Sequence, residues 1–245
     1  MLLEVNQITK SFGSLMVLGD LTLHVREGEF KAVIGPNGAG KTTLFNVISG
    51  RLAADKGTIE FHGKNVTRAK PHVLSGMGLA RSFQINNFFL GLSVLENIRL
   101  AVQSRLKNAT SIWRNSMDSG LLIEKSLEII ESVGLTHVRD EISQNLSYGD
   151  QRKLEIGLAM GTQPSLLMLD EPTSGMSRFE SQSMIELVRE LSKKVTIVLI
   201  EHDIDFVMSV SDSIMVIHYG RKIAEGTPDE IARNAEVQNV YLGGL

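Results

Sequence analysis

Hydrophobic and polar positions along the chain follow two periods. Leu3-Glu4-Val5-Asn6-Gln7-Ile8 and Leu21-Thr22-Leu23-His24-Val25 alternate apolar with polar residues, and Gly57-Thr58-Ile59-Glu60-Phe61 repeats the pattern. Alternation predicts strands with one solvated face, as in an antiparallel sheet. Residues 30–34, 166–169, 196–200 and 214–217 are apolar almost throughout, which predicts strands buried on both faces of a parallel α/β sheet. Between residues 90 and 159 the apolar spacing changes to three and four. Helices are expected over 94–106, 121–133 and 151–160, forming an inserted helical subdomain. The polar stretch 107–120, with the single Trp113, predicts a loop or a frayed helix end. No repeat or low-complexity tract interrupts this order.

Composition narrows the picture. The 245 residues are 42% hydrophobic and 22% charged, which suits one large domain or one domain carrying a smaller subdomain. Lys+Arg 25 against Asp+Glu 28 leaves a net charge of -3, so there is no overall basic field and no nucleic-acid partner is expected. The absence of cysteine excludes disulfides, thiolate metal sites and Cys nucleophiles. The longest apolar runs are strand-sized, whereas a membrane-spanning helix needs about 20 apolar residues. The opening Met1-Leu2-Leu3-Glu4 has no basic region, so it does not read as a secretory signal, and the expected compartment is the cytoplasm.

The strongest chemical signal is Gly35-Pro36-Asn37-Gly38-Ala39-Gly40-Lys41-Thr42-Thr43, a G-x-x-x-x-G-K-[ST] loop between a buried strand and a helical run. Glycines let backbone N–H groups turn inward around phosphate oxygens, and the following helix adds unpaired N–H groups and a positive dipole end. Lys41 then reaches the β- and γ-phosphates, and the Thr42 hydroxyl can bind Mg²⁺. A hydrolase of this kind also needs a carboxylate for the metal and a base for water. Leu166-Leu167-Met168-Leu169-Asp170-Glu171 offers both, with Asp170 leaving the strand toward the metal and Glu171 next to it.

Three further segments make the pattern specific: Leu146-Ser147-Tyr148-Gly149-Asp150-Gln151-Arg152, Arg81-Ser82-Phe83-Gln84 and Ile200-Glu201-His202-Asp203. Together with the phosphate loop, and in their order along the chain, they resemble the nucleotide-binding subunits of ABC transporters over essentially the whole chain. The resemblance implies a P-loop NTPase, RecA-like α/β core with an antiparallel β subdomain and an inserted α-helical signature subdomain. Residues 1–86 and 161–245 would be the ATP-binding core, and 87–160 the helical subdomain. It further implies ATP and Mg²⁺ as ligands. Phe12 would lie against adenine, Gln84 would join Thr42 and Asp170 at the metal, Glu171 would act as base and His202 would sense the γ-phosphate. Ser147 and Gly149, before a helix N-terminus, would form a second anion site. One protomer's phosphate loop would face its partner's signature in a head-to-tail dimer, with two sites closed by the two-fold axis.

Within that family the chain resembles the ATPases of branched-chain amino acid importers, on Ala80-Arg81-Ser82-Phe83-Gln84, the signature, Leu199 to Asp203, and the ending Gly226-Thr227-Pro228 with Tyr241-Leu242-Gly243. Urea and amide importers and the lipopolysaccharide exporter use similar subunits, and a soluble non-transport ABC ATPase is the other alternative. The transport reading implies transmembrane permease subunits, a second ABC ATPase, an external substrate-binding protein acting indirectly, and a peripheral place on the cytoplasmic membrane face. Two positions depart from the family pattern. Ser177 stands where Asp or Asn is usual, a shorter side chain that predicts a weak homodimer and a heterodimer with a related ATPase. Tyr148 and Asp150 replace the commoner Gly and Gln. Finally, Asn86-Asn87-Phe88-Phe89-Leu90-Gly91-Leu92 puts large apolar groups into an expected loop, predicting an exposed partner patch built on Phe88 and Phe89.

Overall fold

The computed structural model describes residues 1–82, 88–105 and 117–242. Strands β1 (Leu3–Phe12), β2 (Leu15–Val25) and β3 (Phe30–Ile34) lead into helix α1 (Lys41–Ile48). Then come β4 (Lys56–Phe61), β5 (Lys64–Asn65), the short helix α2 (Pro71–Gly76) and β6 (Leu79–Arg81). A helical stretch follows with α3 (Val94–Gln103), α4 (Met117–Ser132) and α5 (Tyr148–Gly161). The chain returns to the sheet through β7 (Leu166–Asp170), α6 (Arg178–Ser192), β8 (Thr196–Ile200), α7 (Ile204–Val210), β9 (Ser213–His218) and β10 (Arg221–Gly226), and closes with α8 (Pro228–Ala232) and α9 (Ala235–Leu242).

The alternating segments form an antiparallel sheet of order β2-β1-β4-β5, and the all-apolar segments form a second sheet of order β10-β9-β3-β8-β7-β6. In the second sheet β9, β3, β8, β7 and β6 run parallel, while β10 is antiparallel at the edge. Side chains alternate across a strand, so a run buried on both faces contributes to two cores. Val33, Met168, Val198, Ile200, Met215 and Ile217 pack with α1 and the antiparallel sheet. Ala32, Ile34, Leu167, Leu169, Ile197 and Leu199 pack against the helical side. Burying each such Val, Leu, Ile or Met side chain stabilises the fold by about 1.5–3 kcal/mol.

Ile200 lies opposite both Val33 on β3 and Asp170 on β7, so these three parallel strands end level with one another. Their carboxyl ends open into the loops carrying Gly35, Glu171 and His202. In parallel α/β sheets this edge is where ligands bind.

Two expectations need correction. Helix α4 begins at Met117, so the last residues of the stretch expected to be loop or frayed are helical, and 106–116 lie outside the described residues. Helix α5 begins at Tyr148, because Ser147 has extended dihedrals and caps it, which puts Gly149 inside the first turn rather than before the helix.

Candidate functional site

The phosphate loop is shaped by close backbone approaches. A Cβ on Gly35 would stand 2.1 Å from the Ile217 carbonyl oxygen, and one on Gly40 would meet Val17 O and Leu18 Cδ2 at 2.9 Å. Gly40 also has φ 103°, in the left-handed region that glycine enters without steric cost. Helix α1 starts there with no side-chain cap and no acidic residue in its first turn. By contrast α3, α5, α6, α7 and α8 are all capped by a Ser, Thr or Asp side chain. The open N–H groups of α1 are therefore available to an anion. Asn37, Gly38 and Thr42 are exposed at this mouth, Thr43 is half-buried, and Ala39 is buried. Lys41 is buried and folds back, with Nζ donating to Gly35 O at 2.7 Å and Pro36 O at 3.0 Å. Burial pushes its pKa down, while Glu171 and Asp170 oppose that shift.

Asp170 ends β7 in a buried position. Its Oδ2 accepts from Arg81 Nη2 at 2.7 Å, while the buried Oδ1 has no hydrogen-bond partner among the described residues. A hard cation, directly or through its water, is the group such an oxygen fits. Glu171 follows with φ 48°, left-handed for a non-glycine residue, and its N–H donates to Ile200 O at 2.8 Å. That conformation costs on the order of 1–2 kcal/mol and turns the chain sharply off the strand. The fully buried Glu201 holds the neighbouring loops together. It accepts from the Thr173 N–H at 3.1 Å, from the Thr173 hydroxyl, and from the His202 N–H at 2.8 Å. His202 itself is exposed, with Nδ1 3.3 Å from Glu201 Oε2. Phe12 offers a half-exposed ring with Lys10 Nζ 5.6 Å from its centroid. Gln84 lies outside the described residues.

The signature and the loop after Glu171 form one connected surface. Ser147 Oγ accepts from the Asp150 N–H at 3.1 Å and donates to Asp150 Oδ2 at 2.9 Å. Tyr148, one of the departures, donates its hydroxyl to Ser174 O at 3.0 Å and receives Arg152 Nη2 at 2.8 Å. Ser177, the other, caps α6 in a capping box with Glu180, its hydroxyl 2.6 Å from Glu180 Oε2. The same carboxylate takes a backbone hydrogen bond from Gly149, which helps hold it below the ordinary carboxylate range after the larger contributions from the Ser177 hydroxyl and N–H.

Residues 18–174 match the family model described as ABC transporter, and residues 221–244 match that of the branched-chain amino acid ATP-binding cassette transporter. The chain belongs to the ABC transporter family. The cassette is 38% identical over 251 residues, 99% of this chain and 98% of the relative, to the high-affinity branched-chain amino acid transport ATP-binding protein LivG of Salmonella typhimurium. It is 37% identical to a probable LivG of Archaeoglobus fulgidus, covering 99% of this chain and 95% of that one. Among solved structures it resembles the ADP conformation of an ATP-binding cassette of an ABC transporter, with TM-score 0.83, 30% identity, and 99% and 98% of the two chains covered. ATP hydrolysis is the activity of such ABC ATPases, and the fold is their P-loop NTPase fold.

The expected partner patch divides in the cassette. Phe88 is 7% exposed and belongs to the helical-side core, so it is not part of a surface. Phe89 is 64% exposed and lines a cleft of about 490 Å³ with Leu79, Ala80, Leu100 and Leu158. Asn97 Oδ1 and Nδ2 hold the Phe89 N–H and C=O, which fixes the turn that sends the two rings opposite ways. Three residues of the site are given no role by the sequence motifs. Glu201 and Arg81 are charges beside buried strands, a signal visible in the sequence. Tyr241, 37% exposed, has its phenol pushed up to about 12 by burial of the ring, against a hydrogen bond from the Gly35 backbone, a contact no local pattern announces.

Proposed function

We propose that this cassette is the ATPase of an importer for branched-chain amino acids, peripheral on the cytoplasmic membrane face. The observation that carries the reading is the match of residues 221–244 to the branched-chain cassette model, beside the near full-length similarity to LivG proteins. No helix among the described residues is long and apolar enough to cross a membrane, and permease subunits would carry the solute.

ATP enters with its phosphates at the open N-terminus of α1 and its base against Phe12. Gly35, Asn37, Gly38, Ala39 and Gly40 supply the loop, Lys41 turns from the loop carbonyls to the terminal phosphates, and Thr43 supports the first turn. Thr42, Asp170 and Gln84 would hold Mg²⁺, which would supply positive charge to the phosphate oxygens. Glu171 takes the proton of the attacking water, and His202 hydrogen-bonds the γ-phosphate from the neighbouring strand end. Ser147 and Gly149 of a second ABC ATPase close over the nucleotide. Because the Ser177 hydroxyl is committed to Glu180 of its own helix, that second subunit is a related ATPase rather than another copy. The helical stretch 87–160 moves against the core made of 1–86 and 161–245, and the Phe89 cleft between β6, α3 and α5 receives a cytoplasmic segment of the permease.

The test is reconstitution in vesicles with the genomically neighbouring permeases, companion ATPase and substrate-binding protein. ATP hydrolysis is expected to rise when leucine, isoleucine or valine is supplied outside. A complex that assembles and responds only to an unrelated solute would contradict the branched-chain reading.

A further inference from the structure

Arg81 closes β6, pairing in register with Met168 two residues before Asp170. Its side chain is 7% exposed and is engaged on several sides. Nη2 donates to Asp170 Oδ2 at 2.7 Å, and Nη1 donates to Asn46 Oδ1 at 2.7 Å and Ser49 Oγ at 3.1 Å. The guanidinium carbon lies 5.6 Å from the centroid of the Phe45 ring. Phe45 and Asn46 belong to α1 and Ser49 caps its carboxyl end, so one planar group joins the phosphate-loop helix to the carboxylate at the end of β7. The same residue lines the Phe89 cleft.

A buried Arg beside a buried Asp can simply neutralise it, or it can aim it. Neutralisation alone needs only a nearby positive charge. Here the fork is fixed to α1 through Nη1 and grips a single carboxylate oxygen, while Oδ1 has no hydrogen-bond partner among the described residues. We propose that Arg81 is a positioning residue that holds Asp170 by Oδ2, so that Oδ1 is left free to take the Mg²⁺ accompanying ATP. This rests on reading Asp170 as the metal-facing carboxylate. Lysine cannot reproduce it, because an ammonium is a point charge on a flexible stem and cannot span Asp170, Asn46 and Ser49 in one plane. Replacing residues that orient metal ligands typically weakens metal binding by about 10–100-fold.

The experiment titrates Mn²⁺ into the full chain with bound ADP and follows free Mn²⁺ by electron paramagnetic resonance, for wild type, Arg81→Lys, Arg81→Gln and Asp170→Asn. Positioning predicts that Arg81→Lys and Arg81→Gln both weaken Mn²⁺ binding at least about tenfold, with ADP affinity in the absence of metal unchanged. Wild-type Mn²⁺ affinity in Arg81→Lys, or tighter binding in Arg81→Gln once the competing charge is gone, would overturn it in favour of neutralisation. If Arg81→Gln does not fold, Arg81→Lys decides alone, since it keeps the charge. Unchanged affinity in Asp170→Asn would instead remove the metal-facing reading on which the proposal stands.

Discussion

Phe88 and Phe89 are identical in type and adjacent in sequence, yet one is core and the other surface. Phe88→Ala should cost about 3–5 kcal/mol, because it empties a packed site, whereas Phe89→Ala should change stability by no more than about 0.5 kcal/mol. Urea unfolding midpoints of the two variants check this. Equal losses would mean that Phe89 packs as Phe88 does. The pair shows where sequence reading stops: hydrophobicity marks both rings, but only the turn fixed by Asn97 decides which enters the core. The same holds for Tyr148, whose bridge to Ser174 depends on a partner 26 residues away, whereas the Ser177 cap on α6 follows a local Ser-x-x-Glu spacing that the sequence itself carries. The phosphate loop, Asp170 and Glu171 were legible as candidates because each is tied to the end of a strand that its own neighbours predict, and His202 only through the family resemblance.

Among the elements, the buried strands β3, β7, β8 and β9 were the most readable, since runs of apolar residues bounded by polar ones leave few other solutions. Lys31 is the exception inside β3. It is 4% exposed and reaches Glu29 at 3.2 Å and Glu225 on β10 at 2.7 Å, crossing the intervening β9. Burial pushes the Glu225 pKa up, but hydrogen bonds and charge from Lys222 and Lys31 outweigh it and hold the carboxyl below its ordinary value. A lowered carboxyl stabilises the fold above its unfolded pKa, and that contribution is lost as pH falls through the folded value. Glu225→Gln is therefore expected to cost about 1–2 kcal/mol at neutral pH, the gap from wild type closing as pH falls below about 4. Urea titrations at several pH values measure it. A gap that widens in acid would contradict the ion-pair account. Boundaries were less readable than strands: the start of α5 depends on the Ser147 cap, one residue before the Tyr148 that bonds elsewhere.

At the scale of the whole molecule, the site exists because parallel strands end level and deliver three loops to one edge. The order of the motifs along the sequence was legible, and so was their need to meet. The left-handed turn at Glu171, the Glu201 clamp between its loop and that of His202, and the Arg81 link to Asp170 were not, because each joins segments far apart in the chain. The central claim is that this edge hydrolyses ATP with Glu171 taking the proton from water. Phosphate release at saturating ATP, measured for wild type and Glu171→Gln alongside ATP affinity, tests it most directly. The account predicts that Glu171→Gln binds ATP as wild type does and turns it over about 100-fold more slowly or worse, since the amide cannot accept the proton. Near wild-type turnover in Glu171→Gln, with ATP binding intact, would contradict it.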